Sequence, residues 1–255
     1  MKNNRVNQIL VILAAAATIT INALADILPI NGLGTGQISD AFSVYFVPAG
    51  YVFSIWGLIY LGLAAYVVFQ ALASQRENPR LQSITGWFIL SSLANCAWIF
   101  LWHYQLFGLT LAAMIVLLVS LIMIYLKLEI GRQKVSRAET WLVRVPFSIY
   151  LGWITVAMIA NVTDVLDYFK WNGWGIAPQS WTAIMLAVAV MVGGLMTFTR
   201  KDTAYLLVLV WAFVGIAVKF PAQPLVNTAA WCASAVVSLL VVITVITKVI
   251  QRTKG

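Results

Sequence analysis

A chain of 255 residues that is 62% hydrophobic and 9% charged, with a mean hydropathy of +0.92, is not a water-soluble domain, because it has too few polar side chains to cover a solvated surface. Its net charge of +8 would point to nucleic acid in a soluble protein, but here the cations fall in short clusters between long apolar runs, which excludes that partner and fits a membrane surface. Two cysteines and one histidine offer neither a disulfide framework nor a zinc cluster.

Crossing a hydrocarbon core of about 30 Å takes roughly 20 residues of helix, and runs of that kind recur eight times. Their approximate spans are 7–29, 51–72, 83–104, 107–127, 141–162, 180–199, 203–219 and 225–248. A β-barrel would show segments of about 10 alternating residues instead. The predicted class is therefore an all-α integral membrane protein with about eight transmembrane helices.

The cations give the orientation. Lys2 and Arg5 precede the first span; Arg76 and Arg80 follow the second; Lys127, Arg132, Lys134 and Arg137 follow the fourth; Arg200 and Lys201 follow the sixth; Lys248, Arg252 and Lys254 end the chain. The remaining connections hold only Lys170 and Lys219, beside Asp40, Asp164 and Asp167. The positive-inside rule then predicts a multi-pass protein of a bacterial plasma (inner) membrane with both termini cytoplasmic. Ala23-Leu24-Ala25 before Asp26 imitates a signal-peptide cleavage site, and cleavage would leave seven helices in the same orientation. The apolar run continues through Ile27-Leu28-Pro29-Ile30, which suits a complete span better.

On the outer side, the 30–50 connection is the longest and the richest in turn formers, with Asn31-Gly32, Gly34-Thr35-Gly36 and Pro48-Ala49-Gly50, and reads as a lid. It runs into the second span, where Phe53, Trp56 and Tyr60 stand at i, i+3 and i+7 and share a face. In the third span Asn95, Trp98 and Trp102 repeat that spacing; in the fifth, Pro146, Tyr150, Trp153 and Ala157 stand at i, i+4, i+7 and i+11. If the three faces converge they line an aromatic pocket. Asn95 would orient its ligand or tie helices together, since an unpaired amide in hydrocarbon costs roughly 2–7 kcal/mol.

Other features read more plainly. Trp87, Trp141, Trp174 and Trp181 lie near span ends and fit an interfacial belt. Arg144 is expected to snorkel toward the basic side. Cys96 and His103 share a helix face but lack a carboxylate, a poor set for a metal; His103 reads as a boundary residue rather than a haem ligand. No P-loop, GxSxG, HExxH or dinucleotide glycine pattern appears. Gly193-Gly194, Ala229/Ala233 and Ala230/Ser234/Ser238 make small-residue rows that serve close packing within the chain or a homodimer.

The stretch Phe46-Val-Pro48-Ala-Gly50 leading to Trp56 and Tyr60 resembles the aromatic-x-Pro-Pro-Gly-x5-Trp-x3-Tyr/Phe motif of the TspO/MBR tryptophan-rich sensory (translocator, peripheral benzodiazepine receptor-like) family. Asn95-Cys-Ala-Trp98 is similar to its Asn-x2-Trp motif, and Pro146-Phe147 with Tyr150 to its Pro-Tyr-x2-Trp motif. Ala49 replaces the second proline and Tyr150 stands where the family usually has tryptophan. The resemblance covers about residues 7–162. It implies a TspO-like five-helix core over 1–162, a three-helix extension over 163–255, and a receptor or sensor that binds a planar hydrophobic ligand.

For that family the implied ligand is a porphyrin or haem, or a sterol-like molecule, with no cofactor required. The residues implied to contact it are Pro48, Phe53, Trp56, Tyr60, Asn95, Trp98, Trp102, Pro146, Tyr150 and Trp153. Light- and oxygen-dependent porphyrin breakdown has been proposed for some members, which makes Trp56 a redox candidate, but no acid–base pair accompanies it and no catalytic residue is assigned. Transport of a small hydrophobic molecule is a third reading, set against a near absence of charge inside the spans and of an internal repeat.

Overall fold

The computed structural model describes residues 2–28 and 30–253. We number its eight long helices α1 (Lys2–Ile27), α2 (Ile55–Ala71), α3 (Pro79–His103), α4 (Phe107–Lys127), α5 (Val145–Tyr168), α6 (Pro178–Arg200), α7 (Thr203–Lys219) and α8 (Pro224–Thr253). With the short turns that lead into α2 and α5, seven are long and apolar enough to cross a membrane, and α7 is a shorter apolar helix of 17 residues. No strand occurs among the described residues. The chain is an all-α integral membrane protein.

Helix ends lie within four residues of the expected bounds except at the start of α1 and the end of α8, which each run five residues farther, and at the end of α5. The apolar pattern ends the fifth span at 162, with Asp164 and Tyr168 in a loop, whereas α5 runs on to Tyr168. Asp164 does not end the helix because it is buried rather than solvated, and the Thr163 hydroxyl bonds back to the Ala160 carbonyl.

Five helices close a ring. α1 packs on α2 and α3, α3 on α4, α4 on α5, and α5 returns to α2, giving the order α1–α2–α5–α4–α3 around the bundle. α1 contributes one face, Val11, Ala15, Thr18, Asn22 and Ala25, spaced four, three, four and three residues apart. Its small residues let α3 come close, as membrane helices require when lipid supplies no hydrophobic driving force.

At the basic end, α3 begins on an Asn78 cap that accepts from the Arg80 amide, with Pro79 in the first turn. Arg80 then grips the buried Glu139 through two hydrogen bonds of 2.7 Å each, pinning the start of α3 to the segment before α5. That segment, Thr140–Arg144, is a π-turn in which the Val145 amide bonds five residues back to Thr140. The wider turn absorbs the donor missing at Pro146. Pro146 packs against α2 at Gly62, where a Cβ would lie 2.9 Å from the proline Cβ, so glycine sets the close approach of α2 to α5.

Arg144 reaches toward the basic side, as expected, but ends in protein rather than in water. It is buried, its Nη1 donates to the Gln133 carbonyl, and its other two nitrogens have no partner among the described residues. The connection after α4 folds it in: Gly131 has φ +78°, and a side chain there would overlap the Arg200 carbonyl at the α6–α7 turn.

The last three helices pack on one another, and α7 docks on α5. Asp202 caps α7 through the Ala204 and Tyr205 amides while also accepting from Tyr125 of α4 at 2.9 Å and Ser148 of α5 at 2.6 Å. Farther along, a Cβ on Gly152 of α5 would lie 3.1 Å from Val208 and 3.2 Å from the Tyr205 carbonyl of α7. Gly193 meets Leu206, Leu209 and Val237, and Ala230, Ala233 and Ser234 are buried in the same unit, so much of the small-residue pattern is used within the chain.

Candidate functional site

The aromatic faces of α2 and α5 meet. Trp56 stacks on Tyr60 at 5.6 Å and stands edge-on to Tyr150 at 6.0 Å and to Trp153 at 6.3 Å; Phe53 meets Trp153 at 5.7 Å. Edge-to-face geometry of this kind is the favoured packing of aromatic quadrupoles. Tyr150 and Trp153 are buried, whereas Phe53, Trp56 and Tyr60 stay partly exposed. The Gly62–Pro146 contact, one turn toward the basic end, brings the two faces together.

The face of α3 does something else. Trp98 and Trp102 stack on each other at 5.1 Å, but Trp102 packs with Phe42 of the connection after α1 and Phe107 of α4, at 5.8 and 5.3 Å. They belong to a second aromatic group at the end where the 30–54 loop lies. The indole N–H of Trp98 reaches Asn161 on α5, whose amide nitrogen donates to Thr110 on α4.

Asn95 lies one turn before Trp98 on α3, and both ends of its amide are engaged within the protein. Its oxygen accepts from Asn22 of α1 at 2.6 Å, and its nitrogen donates to the Tyr150 hydroxyl at 3.1 Å. Asn22 also donates to the Thr18 carbonyl. Of the two roles open to Asn95, the geometry supplies the structural one, tying α1, α3 and α5 at mid-bundle.

His103 is likewise occupied. Nδ1 donates to the Ile30 carbonyl and Nε2 lies 3.1 Å from the Thr35 hydroxyl, while Trp102 donates to the Thr35 carbonyl. No ring nitrogen is left to bind a metal. These bonds pin the start of the 30–54 loop, including its short helix Thr35–Ser39, to the end of α3.

The rest of that loop is held by α7. The Ala49 amide donates to the Gly215 carbonyl at 3.1 Å, and the Trp211 indole donates to the Val52 carbonyl at 3.0 Å. Tyr51 packs on Trp211, Tyr45 packs on Phe220, and Asp40 pairs with Lys219 at 2.9 Å. Pro48 therefore sits against Gly215 of α7 rather than among the aromatics of α2 and α5. Between loop and helix lies a cavity of about 350 Å³ lined by Asp40, Phe42, Tyr45, Val47, Lys219 and Phe220. It is a rim feature that shares Phe42 with the aromatic group of α3, and none of the α2 and α5 aromatics line it.

Four functional elements escaped the sequence reading. Asn22 is an amide within an apolar run, the same signal that singled out Asn95. Asn161 and Asp164 continue the stripe of Pro146, Tyr150, Trp153 and Ala157 by one and two turns; Asn161 lies inside the expected span 141–162 without standing out as an amide, and Asp164 falls just beyond it. Asp164 is only 4% exposed, accepts no hydrogen bond among the described residues, and has Asp167 and Lys219 as the charges acting on it. The contribution of α7 to the loop left no local pattern to find.

No curated protein and no solved structure matches the chain. A family model described as TSPO-like protein matches residues 8–243, which takes in the ring and continues through α6 and α7 into α8. With its all-helical bundle and an aromatic site at the meeting of α2 and α5, the chain belongs to the TSPO-like family of membrane proteins.

Proposed function

We propose that this protein is a receptor or sensor that binds a planar hydrophobic ligand of the tetrapyrrole class, a porphyrin or haem, against the aromatic site of α2 and α5 beneath the 30–54 loop. The observation that carries the reading is the meeting of Phe53, Trp56 and Tyr60 with Tyr150 and Trp153, which offers rings from two helices and no charge to a flat apolar molecule. Membership of the TSPO-like family supports a membrane sensor or binding protein. A sterol-like molecule would present less flat surface to these rings and ranks second.

In this reading residues 1–162 form the ligand-binding core and 163–255 the extension that steadies its loop. The basic end faces the cytoplasm of a bacterial inner membrane, both termini lie there, and the ligand enters from the opposite side. The test is a titration of the purified protein with protoporphyrin IX, following Soret absorbance and tryptophan fluorescence. Binding that saturates and weakens in Trp56→Phe supports the proposal; an unchanged Soret band and unquenched fluorescence in the wild type overturn it. Illumination in air with formation of a new chromophore would move the reading to porphyrin degradation.

A further inference from the structure

Among the described residues, four tryptophans give their indole N–H to an oxygen: Trp98 to Asn161, Trp102 to the Thr35 carbonyl, Trp181 to the Gly173 carbonyl and Trp211 to the Val52 carbonyl. Trp153 does not. It is 2% exposed, and its Nε1 is buried with no hydrogen-bond partner among the described residues. It stands in the middle of the aromatic site, edge-on to Phe53 and Trp56.

A buried donor without an acceptor is a standing cost to the unliganded fold, and native proteins keep few of them. The amide best placed to orient a ligand by sequence, Asn95, is already consumed by Asn22 and Tyr150. We infer that Trp153 is the residue that fixes the ligand's orientation, by donating its indole N–H to an uncharged acceptor, such as an ester, ketone or amide carbonyl, on the periphery of the planar ligand. The inference rests on the aromatic-site reading given above.

Charge narrows the acceptor. Neither aromatic group contains a lysine or arginine, and the charged side chain on the α5 stripe is Asp164. A carboxylate pressed against Trp153 would be desolvated with no cation to pair with, a heavy penalty in a low-dielectric site. A neutral carbonyl meets the same donor without that penalty. Anionic groups on a ligand belong away from Trp153.

Two porphyrins that share a macrocycle separate the possibilities: protoporphyrin IX dimethyl ester, which carries neutral carbonyls, and etioporphyrin, whose periphery is alkyl. The wild type is expected to bind the ester about tenfold more tightly, the yield of one net hydrogen bond. Trp153→Phe keeps an aromatic edge but removes the N–H; it should weaken the ester about tenfold and etioporphyrin by less than about twofold. In ¹⁵N-indole spectra the Nε1–H resonance lost in Trp153→Phe should move downfield with the ester and stay still with etioporphyrin.

Equal losses for both porphyrins would show that Trp153 only packs, and an upfield N–H resonance that neither ligand moves would place the donor on a neighbouring ring face. Either result overturns the inference. Tighter binding of the free diacid than of the ester would overturn the neutral-acceptor class. If both porphyrins bind without discrimination, the inference falls and the proposed function stands; if neither binds the wild type, the proposed function falls and this inference with it.

Discussion

Replacing Gly215 by alanine should loosen the 30–54 loop without unfolding the bundle. A Cβ at this position would overlap Val52 Cγ2 and lie 3.0 Å from Pro48 Cβ, and Val52 is wholly buried. Restoring ordinary contact moves the loop away from α7 by about 1 Å, which lengthens the Ala49–Gly215 and Trp211–Val52 hydrogen bonds from their 3.1 and 3.0 Å. Over-packing of this kind costs about 1–3 kcal/mol, and alanine returns about 0.8–1.0 kcal/mol of helix propensity to α7. That propensity gain is common to the docked and the open loop, so the over-packing cost of about 1–3 kcal/mol falls on the loop, α7 being fixed on its other sides by α5 and α8.

Hydrogen–deuterium exchange in detergent micelles reads this directly. Peptides covering residues 46–54 should exchange roughly 5- to 150-fold faster in Gly215→Ala, while α3 and α5 keep their protection. Gly194→Ala is the control, since nothing lies within 4 Å of its added Cβ. Adding Val52→Ala to Gly215→Ala removes the overlapping methyl and should restore most of the protection, a non-additivity expected of contacting residues. Exchange over 46–54 within twofold of wild type in a folded Gly215→Ala protein would refute the claim that α7 holds the loop.

Two other perturbations bear on the frame of the site. Asp202→Ala strips the α7 cap and leaves the Tyr125 and Ser148 hydroxyls without their acceptor; thermal unfolding in micelles should show a loss of roughly 2–5 kcal/mol, and Asp202→Asn, which can still cap, should lose less. Asn95→Leu removes the oxygen that accepts from the Asn22 amide and should cost about 1–3 kcal/mol by leaving that donor unsatisfied in the bundle. Asn22→Leu combined with Asn95→Leu should cost less than the sum of the single changes, measured by the same unfolding midpoints.

Most of the fold was legible because each crossing is a continuous apolar run. The expected 107–127 and 203–219 coincide with α4 and α7. The largest departure, at the end of α5, comes from Asp164 and Asp167, since charges ordinarily close a span and these two lie inside a helix. Half of the site was legible for a similar reason: period alone places Phe53, Trp56 and Tyr60 on one face and Tyr150 and Trp153 on another. Which faces meet is not encoded in any single period. The tryptophans of α3 satisfy the same spacing yet turn to Phe42 and Phe107, and Gly215 looks like any small residue in a membrane helix until its backbone oxygen is seen to accept from Ala49.

α5 explains how the extension and the site are connected. One stripe of this helix, Tyr150, Trp153 and Asn161, carries the aromatic and amide contacts of the ring, and the opposite stripe, Ser148, Gly152 and Thr155, docks α7 through Asp202, the Tyr205 carbonyl and the Tyr205 hydroxyl. A helix used on both sides has little surface left for lipid, in keeping with the 61% buried share of its span against 28% for α1 and α6. α7 in turn holds the loop over the ring through Trp211 and Gly215. Loop, α7 and α5 thus form one continuous path of hydrogen bonds and close contacts, so a shift of α7 along α5 must strain the loop attachment, the Asp202 hub or both. Because interfaces of this kind repack between discrete arrangements rather than stretch, a change in the α5–α7 packing is expected to displace the attached loop as a unit.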